Sequence, residues 1–137
     1  MAELQKEASP NAPDEKTARE ALAIPAAAKP VITRPEHCCV STYWAVIERN
    51  GTIVRGRNVV SAQKVAGHVG WYEVIFTGDV SKGVYQATIG RPGIGTETTG
   101  EICVAARFGN ANGVWIDTHD SAGAYSDRSF HVMAFTD

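Results

Sequence analysis

The residues best equipped for chemistry are crowded into one stretch, Asp117-Thr118-His119-Asp120, with Asp127, Arg128 and His131 close behind. On an extended strand, residues two apart share a face, so Asp117 and His119 stand side by side. A carboxylate beside an imidazole is the pair that orients a general base in hydrolytic sites. That chemistry still needs a nucleophile. No serine lies in a G-x-S-x-G elbow and no H-E-x-x-H zinc motif is present. The plainer reading leaves Asp117 and His119 in water at a strand end and pairs Asp127 with Arg128 at a turn. No residue is assigned as catalytic, and the chain is read as a non-enzyme.

Metal and phosphate chemistry are poorly served. Cys38 and Cys39 are adjacent and Cys103 stands alone, an odd number that cannot close into a full set of intrachain disulfides. Without a C-x-x-C pair, three thiols and four scattered histidines make a poor zinc set. The stretch 90–95, G-R-P-G-I-G, has the glycines of a phosphate loop but not its Lys-Ser/Thr ending, and Pro92 removes an N–H. No metal or cofactor is expected.

The tryptophans are the stronger lead. Trp71 and Trp115 fall opposite the more apolar faces of their segments, Val74/Phe76 and Val114/Ile116, and share a side with Glu73, Asp117 and His119. Exposed indoles stack on sugars or anchor protein interfaces. Trp71, Trp115, Asp117 and His119 are therefore the candidate binding residues. Rings covered instead by a neighbouring subunit would make the chain a homo-oligomer.

These side chains are carried by the second of two unlike parts. All thirteen glycines lie between Gly51 and Gly123, while five of the six prolines lie at or before Pro35. Residues 1–36 alternate charge with Ala and Pro and hold few large apolar side chains, so they cannot repay the entropy of ordering themselves. They read as a tail. Within it, residues 14–23 suit a short helix, and Leu22 and Ile24 at its end make a docking peptide for a protein partner. A chain beginning near Glu36 is expected to fold by itself.

From residue 37 to 137 the apolar period becomes two. Extended runs fall at 43–48, 52–55, 59–65, 71–77, 84–89, 101–108, 114–118 and 130–135, with Gly56 and Asn58 marking a bulge or a bend between the second and third. Asn50-Gly51 predicts a type I′ hairpin turn with both residues at positive φ. Residues 90–100 form the longest loop. About seven short strands with turns between them and no helical period predict an antiparallel β-sandwich. Its expected core is Trp44, Val46, Val74, Phe76, Tyr85, Ile89, Ile102, Val104, Val114, Ile116, Phe130 and Val132.

Composition excludes other roles. A net charge of −2 gives no electrostatic footprint for nucleic acid. No run approaches the ~18 apolar residues of a membrane span, and residues 1–20 are too polar for a signal peptide. The expected location is the cytoplasm or a particle that carries the chain.

The string Trp44-Ala45-Val46, Gly51-Thr52, Arg55-Gly56, Tyr72-Glu73-Val74, Phe76, Tyr85, Ala87-Thr88-Ile89-Gly90, Asn112-Gly113-Val114 and Asp127-Arg128-Ser129-Phe130-His131 resembles a small β-rich domain. That domain occurs in short bacterial proteins and at the ends of phage-like fibre proteins. The resemblance spans nearly all of residues 43–135 and implies an appended structural module. The expected function is thus a structural or binding part of a larger assembly, of the fibre-tip or surface-decoration type, docked through its tail. A carbohydrate-binding or small-ligand-binding sandwich is the alternative, and a hydrolase ranks third.

Overall fold

The computed structural model describes residues 40–137. The tail with Leu22 and Ile24, and the Cys38/Cys39 pair, lie outside the described residues. The chain divides into two units, Met1–Glu36 and His37–Asp137.

Eight strands follow one another: β1 (Ser41–Ile47), β2 (Ile53–Arg57), β3 (Val59–Lys64), β4 (Trp71–Phe76), β5 (Val84–Ile89), β6 (Glu101–Ala106), β7 (Gly113–His119) and β8 (Phe130–Thr136). They form two four-stranded sheets, ordered β2-β1-β8-β5 and β3-β4-β7-β6. All pairings are antiparallel. The fold is the expected antiparallel sandwich, with eight strands in place of about seven.

The extra strand comes from Asn58. It adopts φ 55, in the left-handed region that Asn tolerates better than most residues. What reads as a bulge or a bend between runs 52–55 and 59–65 is a change of sheet, since β2 pairs with β1 and β3 with β4. The Asn58 carboxamide donates to the Thr42 carbonyl at 2.9 Å, on the first sheet. Its own carbonyl accepts from the Thr77 N–H at 2.8 Å, just beyond β4.

The core lies between the sheets. Ala45, Ile47, Phe130, Val132 and Ala134 come from the first sheet, and Tyr72, Val74, Phe76, Val114 and Ile116 from the second. Each large member is worth roughly 1.5–3 kcal/mol when fully buried. Two ring pairs bridge the layers, Tyr72 with Phe130 at 5.0 Å and Tyr43 with Phe76 at 5.7 Å. The expected phase of β4, β7 and β8 holds, and Tyr85, Ile102 and Val104 pack against the cluster.

The expected phase of β1 is wrong by one residue. Ala45 and Ile47 face the core, and Trp44 and Val46 lie on the outer side. Pairing decides this, because Ala45 stands opposite the core residue Val132, whereas Trp44 stands opposite Met133. Val46 is nevertheless only 3% exposed. Its neighbours Arg55 and His131 reach the carbonyls of Pro92 and Arg91, which draws the β5–β6 loop over this side of the sheet.

The first hairpin also differs from expectation. Among the described non-glycine residues only Asn58 has positive φ, so Asn50 does not, and the turn is not type I′. The Gly51 N–H bonds the Glu48 carbonyl at 2.8 Å and the Glu48 N–H bonds the Thr52 carbonyl at 2.9 Å. Gly51 alone sits at φ 91. This is a turn closed by a left-handed glycine bulge, the usual geometry of a three-residue hairpin loop. The Asn50 side chain accepts from the Thr52 N–H at 3.0 Å, which Asn does in either turn.

Candidate functional site

The four candidate residues come together on the outer side of the second sheet. Tyr72, Val74 and Phe76 turn inward from β4, and Val114, Ile116 and Thr118 from β7, all fully buried. Strand alternation sends Trp71 and Glu73, and Trp115, Asp117 and His119, to the other side. The register sets them in a checkerboard: Trp71 opposite Asp117, and Glu73 opposite Trp115. The two indoles therefore meet along the diagonal, 5.6 Å apart and inclined at 64°.

Loops complete the cluster. His68, from the β3–β4 turn, stacks on Trp71 with ring centroids 4.0 Å apart and planes 8° from parallel. Tyr125, from the β7–β8 loop, stands edge-on to Trp71 at 5.8 Å and packs against His119 at 4.5 Å. Both tryptophans are half-buried, while Tyr125 is 50% exposed. The Trp71 indole N–H is enclosed and meets no hydrogen-bond acceptor.

The polar side chains are tied to the rings and to each other. Trp115 Nε1 donates to Asp117 Oδ1 at 2.9 Å. The Arg107 guanidinium lies 5.1 Å above the Trp115 ring, a cation–π contact, and pairs through Nε with Glu73. Gln63, opposite Glu73 on β3, donates to its Oε1 at 3.2 Å. Across β6, Cys103 faces Asp117 and Ala105 faces Trp115. Beyond the β6 edge, Phe108 is 94% exposed, and with Ala105, Ala106, Arg107 and Trp115 it bounds a pocket of about 330 Å³.

The Asp117-Thr118-His119-Asp120 stretch does not act as one group. Asp117 serves Trp115, and His119 rests on Tyr125. Thr118 points inward and donates to the Ser126 carbonyl at 2.7 Å. Asp120 accepts from the Ala122 and Ala124 N–H groups at 2.9 and 3.0 Å, holding the following turn. The Asp127–Arg128 pair read from the sequence is also absent, because successive residues point apart. Asp127 pairs with Lys64 at 2.6 Å and accepts from the Gly70 N–H at 2.7 Å, whereas Arg128 donates to Ser126 Oγ at 2.7 Å.

These contacts bind the loops at the end of the sandwich that carries His68 and Tyr125. Burial alone would raise the Asp127 carboxyl; Lys64, the Gly70 N–H and Tyr72 outweigh it and hold it below the usual range. Burial pushes the Tyr72 phenol up to about 12, helped by the Asp127 charge. Its hydroxyl donates to the Arg49 carbonyl at 2.7 Å. Glu97, with a side chain only 4% exposed, pairs with Arg49 at 2.7 Å. Burial pushes its carboxyl up too, but the Thr98 N–H, Ser129 and Arg49 bring it below its ordinary value. A cavity of about 510 Å³ lies here, lined by Glu48, Arg49, Arg91, Pro92, Glu97 and neighbouring residues.

His68 and Tyr125 escape the sequence reading because they lie in a turn and a loop, and Arg107 and Phe108 because the expected run 101–108 stops at Ala106 and leaves both beyond the end of β6. Among the described residues, no three His, Cys, Asp or Glu side chains are grouped to hold a metal ion, and no helix is long and apolar enough to cross a membrane. Compared with protein-family models, with curated proteins and with solved structures, the chain matches none.

Proposed function

We propose that this chain is a non-enzymatic binding module of a larger assembly, and that the outer side of the second sheet is its contact face. The observation that carries the reading is the ring cluster of His68, Trp71, Trp115 and Tyr125 laid over the solvent side of β4 and β7. Water-facing sheet surfaces do not need such a cluster, whereas interface anchors are typically Trp, Tyr and Arg held by their neighbours. The polar residues support the same view, since Asp117 and Arg107 position the Trp115 ring. In this reading residues 1–36, with Leu22 and Ile24, attach the module to the assembly. Fibre tips and surface decorations are assemblies of this kind, and self-association of the module belongs to the same proposal.

The test is the mass of the species purified from the native source, set against the 14.7 kDa of one chain. A larger complex is expected. It should be lost on removing residues 1–36 or on changing Tyr125→Ser, with the β-sheet circular dichroism unchanged. A native species that is a lone chain, or a complex indifferent to both changes, would sink the proposal.

A further inference from the structure

We infer that the pocket between Trp115 and Phe108 is a carbohydrate subsite that takes a single pyranose ring; this rests on the outer side of the second sheet being the contact face. The pocket, about 330 Å³, lies at the small end of the roughly 300–1,000 Å³ found for ligand sites, a size for one ring. Two of its five lining residues are aromatic and two are alanines, leaving Arg107 as its polar group. Phe108 is the most exposed aromatic residue described, at 94%, and nothing in the fold requires it there.

A sugar ring asks for two things at once: an aromatic surface for its C–H face, and fixed planar donors and acceptors for its hydroxyl rim. Arg107 supplies donors. Its Nε is held by Glu73 and its Nη1 by the Phe108 carbonyl at 3.1 Å, which orients the remaining N–H groups of a rigid fork. The Trp115 ring is set in place through its N–H on Asp117. Arg107 and Trp115 therefore have little side-chain entropy left to lose on binding. An aliphatic peptide side chain would fill the pocket but leave the remaining Arg107 N–H groups without acceptors, at a desolvation cost that hydroxyls avoid.

The experiment applies the full chain to an array of immobilised neutral and acidic glycans, followed by titration of the matching free monosaccharide by calorimetry. The tryptophan indole N–H signals are followed by NMR. Saturable binding is expected, with the Trp115 signal moving and the Trp44 signal, on the opposite sheet, staying still. Phe108→Ala should lower the affinity about tenfold or more. That variant leaves folding untouched because its side chain is exposed, and Arg107→Lys should weaken binding while keeping the charge. Absence of binding to any glycan overturns the carbohydrate assignment; if Tyr125→Ser still dissolves the native complex, the contact face survives. Binding that moves Trp44 and ignores Phe108→Ala overturns both.

Discussion

The Trp115 indole N–H donates to Asp117 Oδ1 at 2.9 Å, within one strand and two residues apart. The most suggestive carboxylate of the chain is thereby committed to orienting an aromatic ring. Asp117→Ala should cost about 1 kcal/mol and broaden the near-ultraviolet circular dichroism of Trp115, because the bond is lost. Asp117→Asn retains an acceptor oxygen and should stay within ~0.5 kcal/mol of the parent in urea denaturation. Equal losses in both variants would mean that charge, and not the hydrogen bond, is what matters.

Trp71 is wedged among His68, Trp115 and Tyr125 with its N–H unanswered. Trp71→Ala should cost about 2–3 kcal/mol, below the ~3–5 of a fully buried aromatic. Trp71→Phe keeps a ring and removes the orphaned donor, so its cost should be under ~1 kcal/mol. Thermal melts of both variants decide it. A phenylalanine variant as unstable as the alanine one would show that the N–H does find a partner.

Gly51 and Gly67 share positive φ, at 91 and 76, but not surroundings. A Cβ on Gly51 would strike the Lys64 backbone nitrogen, whereas one on Gly67 would meet nothing within 4 Å. Gly67→Ala should therefore cost only the ~1 kcal/mol of left-handed backbone. Gly51→Ala should cost at least ~2 kcal/mol, since backbone must also shift. Equal losses in denaturant titration would place the β1–β2 turn away from β3.

Asp127 and Glu97 have carboxyl groups held below their ordinary values in the folded chain. Groups of this kind stabilise the fold above the unfolded values of about 3.9 for Asp and 4.3 for Glu, and that stability is lost as pH falls through the lower folded values. Melting temperature should fall steeply below about pH 4. Asp127→Asn should lower it at pH 7 and flatten the acid limb. An acid limb unchanged in that variant would assign the loss to other groups.

How much of this could be read without the fold depends on the strand. In β4 and β7 one side carries Val74, Phe76, Val114 and Ile116 and the other Glu73, Asp117 and His119, so Trp71 and Trp115 fall with the polar side on sequence alone, as the burial of alternate residues bears out. The segment Trp44-Ala45-Val46-Ile47 is apolar at every position, so alternation says nothing about phase. Only the pairing of Ala45 with Val132, 87 positions away, turned Trp44 out of the core. Likewise Asn50-Gly51 announces a turn in any context, but the closeness of β3 to Gly51 belongs to the packed molecule.

The sequence by itself determined the boundary near residue 37, the all-β class, most of the strands and the outward side of β4 and β7, because these follow from local composition and period. Only the tertiary structure decided that Asn58 passes the chain from one sheet to the other. It alone joined Arg107 to Glu73, and His68 and Tyr125 to Trp71. Arg107–Glu73 and Tyr125–Trp71 span dozens of residues, and even the short step from His68 to Trp71 crosses a turn. Turn residues carry no periodic signal, so their partners exist only once the strands that carry them have paired.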